Sequence, residues 1–342
     1  MFNCSWIPIR PRSNPKKAQS PEKQATNMSQ YRLVQVHSGD DAEVDIVFLH
    51  GLRGSVEGTW SKNGIRWPSD LLPNDVPKSR IYLFGYDSGI THRNQSDVVK
   101  TEIHSDADDL CAKLEAARSS TDTPPDRPII FVAHSLGGLV AAQILVHGEQ
   151  SHDGSVAQLI SKNLRGLVFL GTPFKGSKAA NLAEVARKIL QSCGIDTQKN
   201  TLKLLGVDSD RLSELTRAFA NVLNKRRSSK QPSDAIDATF FYETKKTSVG
   251  LISTQIVDTE SARIDGCGDT VPIAASHHEI CKFETDKDEG YNVVVAAIRK
   301  VMVPPIPISA GTSTTKTINV LGKALNVAND SIILNGGQKI RF

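Results

Sequence analysis

Ser135 sits at an abrupt change in chain character. Before it runs the apolar stretch Pro128-Ile129-Ile130-Phe131-Val132-Ala133, then His134. After it come Leu136-Gly137-Gly138 and the Ala-containing apolar run Leu139 to Val146. The pattern predicts a buried strand, a tight turn and a helix, with the serine hydroxyl lifted out of the backbone. It is the nucleophile-elbow motif G-x-S-x-G with Ala133 at the first glycine position. Small residues are needed two before and two after the serine because the turn is crowded, and Ala133 and Gly137 meet that need. The competing reading is an ordinary strand–helix turn.

Acyl transfer by a serine needs a base beside the hydroxyl, a group that orients the base, and donors for the oxyanion. The backbone N–H of Leu136, directly after the serine, is one expected donor. The other is expected from the loop His50-Gly51-Leu52-Arg53-Gly54, with Leu52 as the donor, because flanking glycines let a backbone approach closely. In this layout the partners follow in the order serine, acid, histidine, so His134 is not expected to be the base. The base is sought in Ser276-His277-His278-Glu279-Ile280-Cys281, where one histidine should face the site and the other solvent. The acid is sought after the aromatic run Thr239-Phe240-Phe241-Tyr242. Glu243 leads, with Asp258 and Asp265 as rivals, and a surface carboxylate is its alternative reading. A zinc site at the paired histidines is not expected, since no other His or Cys lies at ligand spacing, and no cofactor or metal is called for. Gly171-Thr172-Pro173-Phe174-Lys175-Gly176-Ser177-Lys178 mimics a phosphate loop, but its last pair is reversed and Pro173 removes a donor. It reads better as a strand-end turn with Ser177 capping the next helix.

These groups need a scaffold. Strand-like and helix-like stretches alternate, which predicts an α/β protein with a mostly parallel sheet covered by helices. Strands are expected at Tyr31–Val36, Val44–Leu49, Ile81–Tyr86, Ile129 onward, Leu167–Leu170, Thr239–Tyr242 and Thr270–Ala274. Helices are expected over Ser96–Arg118, after Ser135, through most of 174–236, in a short piece before Thr270, and over Tyr291–Met302. Leu212, Leu215, Phe219, Val222 and Leu223 share one face of the helix closed by Lys225-Arg226-Arg227, three charges expected to complement its dipole.

The 342 residues allow one large domain with tails. A formal net charge of +4 gives no bulk argument for nucleic acid, and none is expected as a partner. Cys4, Cys111, Cys193, Cys267 and Cys281 are scattered without a C-x-x-C pair, as in reduced, cytoplasmic proteins. No apolar run approaches the roughly 20 residues of a membrane span, so contact with a membrane would be transient. Residues 1–28 carry five basic residues and Pro8, Pro11, Pro15 and Pro21, and are expected to be disordered. The same prolines oppose the amphipathic helix of a mitochondrial leader.

Further stretches bear a resemblance. Val47 to Gly54, Thr59-Trp60, Trp67 to Pro73, Phe84 to Asp87, Ile130 to Val140, Leu170 to Pro173, Gly176-Ser177, Glu260-Ser261-Ala262 and His277 to Phe283 carry it. Together they resemble the lipase-like, SesB-like serine hydrolases of the α/β-hydrolase fold found in fungi. Their relatives include GPI inositol-deacylase-type hydrolases and N-terminal domains of fungal NB-ARC or NACHT receptors. The resemblance covers roughly residues 31–302 and implies a domain over 29–303 with a helical cap insertion at about 174–236. In that family the histidine lies six residues before the closing aromatic, which from Phe283 selects His277 over His278. The family's acid tends to close the aromatic strand, which favours Glu243. Ala133 for Gly, and Phe174-Lys175 for the common His-Arg, are departures that remove none of the three.

Beyond Pro307 the chain turns to Gly, Ser, Thr and Asn, with β-prone segments at Thr317–Gly322 and Ser331–Gly337 and asparagines at 319, 326, 329 and 335. Residues 304–342 are similar to amyloid signalling motifs of SesB-like and HET-s-like proteins, where asparagine ladders add hydrogen bonds. A disordered tail or an added hairpin is the alternative. The sequence thus carries three readings. One is a serine hydrolase cleaving an ester, chiefly of a lipid. The second is an effector in fungal cell death or self/non-self recognition, driven through its tail by a NACHT or NB-ARC receptor. The third is a non-catalytic relative that binds an acyl ligand.

Overall fold

A computed structural model describes residues 32–86, 88, 98–174, 181–194, 209–229, 231–249 and 252–302, with the backbone of four short strands between 316 and 341. The chain divides into two units, Met1–Val303 and Pro304–Phe342. The leader, Lys175 to Ser177 of the phosphate-loop mimic, Asn329 and Asn335 lie outside the described residues.

The first unit is built on seven strands: β1 (Arg32–Ser38), β2 (Val44–Leu49), β3 (Ser79–Gly85), β4 (Ile129–His134), β5 (Leu164–Leu170), β6 (Asp237–Glu243) and β7 (Asp269–Ile273). They lie in the order β1-β3-β2-β4-β5-β6-β7. Only β1 runs antiparallel, as an edge strand against β3. Every residue of β2 and β4 is buried, as a parallel strand covered on both faces requires, and this is why both read as apolar runs, broken only by Asp45, which pairs with Arg118, and by the terminal His134.

Alternate side chains serve opposite layers. Val47, Phe131 and Phe169 face a core with helices α1 (Val98–Ser119), α2 (Gly137–Gln150), α3 (Val156–Asn163) and α5 (Ser209–Arg227). Ile46, Phe48, Val132 and Leu170 face the other core, with Trp60, Trp67 and α6 (Glu289–Met302). Helix α4 (Asn181–Ser192) precedes α5 between β5 and β6, and Phe219 and Leu223 of α5 are fully buried in the first core. The chain leaves β2 toward β3 on one side and returns to β4 on the other. In open α/β sheets such a reversal marks the end where ligands bind, here the carboxyl ends of β2 and β4.

Three local expectations are corrected. The segment after β6 forms no helix; Thr247–Val249 and Ile252–Thr254 pair as a hairpin, as β-branched Thr, Val and Ile favour, and turns follow. Helix α3 was not expected; Ser155 caps it by accepting the Gln158 N–H at 3.2 Å. Arg226 does not serve only its own helix end. It is buried and donates to the carbonyls of Ser161 and Leu164 at the end of α3, each at 3.1 Å.

In the second unit Lys316–Val320, Lys323–Ala328, Ser331–Ile333 and Lys339–Arg341 pair antiparallel in sequence order. Asn326 stands opposite Thr317 and Ile333. Among the described residues no helix is long and apolar enough to cross a membrane.

Candidate active site

Ser135 follows β4 directly and takes φ +53°, left-handed backbone that a serine seldom adopts. Such a residue costs about 1–3 kcal/mol and persists because its surroundings hold it. The Ser135 N–H donates to the Leu170 carbonyl at 3.0 Å, and the Ser135 carbonyl accepts from Gly138 at 3.1 Å. The elbow presses against the loop after β2. A methyl group on Gly137 would lie 2.4 Å from the His50 carbonyl oxygen, and one on Gly51 would lie 2.6 Å from Ser135 Cβ. Both positions exclude any larger residue. Ala133 is fully buried, and its methyl group belongs to the first core.

His277 Nε2 lies 3.0 Å from Ser135 Oγ, and His277 Nδ1 lies 2.7 Å from Glu243 Oε2. An ionised carboxylate can only accept, so Nδ1 carries the ring proton and Nε2 is left to accept from the serine hydroxyl. Glu243 closes β6, and its Oε1 accepts the N–H groups of Ile256 and Val257 at 2.7 and 3.2 Å. All three side chains are buried. Both imidazole nitrogens of His277 are engaged, which leaves neither for a metal.

His278 turns away and its Nε2 lies 2.6 Å from Ser192 Oγ at the end of α4, so it meets protein rather than open solvent. Burial pushes its pKa down to about 4. The rival carboxylates are used elsewhere. Asp258 Oδ1 accepts the Ser261 N–H at 2.7 Å, and Asp265 pairs with Arg263 at 3.2 Å.

The loop carrying Leu52 is held by an imidazole. His50 stacks on Tyr86 with ring centres 4.4 Å apart, donates from Nδ1 to the Gly51 carbonyl at 3.0 Å, and accepts the Tyr86 N–H at 3.4 Å. Burial lowers its pKa to about 4, so it is neutral near pH 7. Among the described residues no backbone carbonyl takes the N–H of Leu52 or Leu136. Above them lies an apolar cluster of Val185 and Ile189 from α4 with Ile256, Val257 and Ala262, against which Leu52, Leu136 and Tyr242 pack.

Two supports were not read from the sequence. His134 Nε2 donates to the His277 carbonyl at 2.9 Å, and burial holds the His134 pKa well below its ordinary value. The indole N–H of Trp67 donates to the Cys281 carbonyl at 2.9 Å, and its ring meets Phe283 edge-on. The neighbouring His-Ser and the Trp-Pro pair were visible in the sequence, but neither betrayed a partner more than 100 residues away.

The parallel sheet, its antiparallel edge strand, the flanking helices and the serine elbow at the strand ends define an α/β-hydrolase fold. No family model matches the chain. Protein SERAC1 of Mus musculus is 28% identical over 270 residues, covering 73% of this chain and 38% of that protein. Its Homo sapiens counterpart is 26% identical over 267 residues, covering 72% and 37%. The chain thus spans under two-fifths of the length of these relatives. They are animal proteins, and the SesB-like affiliation rests on the motifs alone. Among solved structures, an esterase of Pyrococcus furiosus aligns at 15% identity and a TM-score of 0.44, covering 86% of this chain and 97% of that one. The NocB thioesterase domain, in covalent complex with a fluorophosphonate nocardicin G analogue, aligns at 15% and 0.40, covering 79% and 100%. Such scores carry no inference about chemistry.

Proposed function

We propose that this protein is a serine hydrolase of carboxylic esters with apolar acyl groups. The observation that carries the proposal is the buried hydrogen-bonded chain from Ser135 through His277 to Glu243. In this reading Ser135 Oγ attacks the ester carbonyl while His277 Nε2 takes its proton. Glu243 holds the imidazole in the required tautomer and stabilises the imidazolium. The N–H groups of Leu136 and Leu52 receive the oxyanion. His277 returns the proton to the departing alkoxide. It then deprotonates the water that releases the acyl group and restores the serine.

The apolar cluster above the serine supports an acyl chain rather than a polar group as the neighbour of the scissile bond. Ser135 is only 1% exposed and lies beneath this cluster. A lipid ester in the cytoplasm, met at a membrane surface, fits this reading. Hydrolysis of p-nitrophenyl esters of increasing acyl length tests it. Burial of each added methylene contributes about 0.8 kcal/mol, so kcat/KM should rise up to about fourfold per carbon until the pocket is full. Equal hydrolysis by S135A, or a decline from the shortest ester onward, would contradict it.

A second reading makes the domain the output of a signalling chain, with residues 304–342 receiving a template from a NACHT or NB-ARC receptor. This reading rests on the resemblance of the tail motifs; within the chain Asn319 stands opposite Ala324 and Asn326 opposite Thr317, so a template would have to re-pair these strands into an asparagine ladder. The full chain should then form thioflavin-positive fibrils that the chain lacking residues 308–342 does not form. Identical behaviour of the two ends this reading.

A further inference from the structure

A cluster unrelated to the serine site joins α1 to α2. His104 and Asp108 are four residues apart in α1 and therefore share a face. His147, in the last turn of α2, meets them from the neighbouring helix. His147 Nδ1 lies 2.9 Å from Asp108 Oδ1, and His104 Nε2 lies 3.6 Å from Asp108 Oδ2. One donor atom from each of the three lies within 4.8 Å of the others. The two imidazole rings are 4.8 Å apart.

We infer that His104, Asp108 and His147 form a binding site for a late first-row divalent metal, zinc in the first instance. Two imidazoles and a carboxylate suit such an ion in both charge and softness. Metal–donor distances of about 2.0–2.2 Å separate neighbouring donors by roughly 3.4 Å around a tetrahedral centre. The donor atoms lie within 4.8 Å of one another, so side-chain rotations of these exposed groups suffice to close them to that spacing. Side-chain exposures of 49, 47 and 31% leave an open path and room for a water as fourth ligand. Gln143, one turn before His147, places its amide Nε2 3.4 Å from His104 Nδ1, and a half-turn of the amide exchanges that nitrogen for the oxygen. With the amide oxygen facing that ring, Gln143 accepts the Nδ1 proton and leaves Nε2 free to ligate, the outer partner that metal-bound histidines usually have.

Gly137 and His147 are ten residues apart, which is about 15 Å along α2. The ion therefore clamps α1 to the far end of the helix that begins at the elbow and takes no part in the chemistry there. The inference stands or falls independently of the hydrolase reading.

The test is a zinc titration of the full chain against a chromophoric chelator, with cobalt substitution as a second readout. The wild type should bind one zinc per chain, and its thermal midpoint should rise with zinc. H104A, D108N and H147A should each weaken binding at least about tenfold. S135A, and C193S at the exposed Cys193, should bind as the wild type does. The cobalt form should show visible d–d bands without thiolate charge transfer. Unaltered zinc affinity in H104A/H147A, or a wild type that gives up all its zinc to the weakest chelator, overturns the site and leaves three surface residues held by ion pairs alone. Near-UV circular dichroism of each variant separates lost ligation from lost folding.

Discussion

His277 Nδ1 lies 2.7 Å from Glu243 Oε2, and the other oxygen of that carboxylate is fixed by the N–H groups of Ile256 and Val257. Glu243 is therefore held from two sides, by the loop after the hairpin and by the imidazole it orients.

That arrangement separates the acid from its rival. Glu243→Gln keeps an oxygen for Ile256 and Val257 but offers an amide where a carboxylate held the imidazole proton. It should lower kcat by about 10³–10⁴ with little change in KM. Asp258→Asn touches only the local turn at Ser261 and should leave kcat within a few-fold of wild type. Steady-state kinetics on one ester decides between them, and a larger loss in the Asp258 variant would reverse the assignment.

His50 makes stability depend on pH in a defined direction. Burial holds its folded-state pKa near 4, against 6.5 in the open chain. Between those values the unfolded chain binds a proton that the folded chain does not, so stability rises with pH across the window. The contribution is complete above about pH 6.5 and is lost as pH falls toward 4. The depression is worth about 3 kcal/mol in all. His278 and the fully buried His134 are shifted the same way, so His50 carries part of the pH dependence rather than all of it. Urea unfolding at pH 7 and pH 4.5 should show a smaller difference in His50→Asn than in wild type. Equal differences would show that His50 is not one of the titrating groups.

The sheet was legible because its physics is local. Strands β2 and β4 are apolar at nearly every position since both faces are covered, and their bounds could be read almost to the residue. Helix α3 escaped because eight residues give too few turns for a period to stand out. The hairpin after β6 was passed over as loop because its strands are only three residues long, and the short helix expected before Thr270 is a run of turns. The choice between His277 and His278 depends on how the chain leaves β7, which no local pattern encodes. Counting from Phe283 picked the histidine that meets Ser135. The count has a physical basis: Trp67 and Tyr291 grip the Phe283 ring and fix the loop's far end. His134 was set aside as a base, but its hold on the His277 carbonyl is a contact 143 residues apart that sequence alone does not reveal.

Covalent labelling tests the central claim most directly. A fluorophosphonate probe transfers its phosphonyl group to an activated serine, and intact-mass analysis counts the adducts. Wild type should carry one adduct, mapped by peptide analysis to Ser135, while S135A should carry none and keep the wild-type circular dichroism. Equal labelling of wild type and S135A would contradict the assignment of Ser135 as the nucleophile.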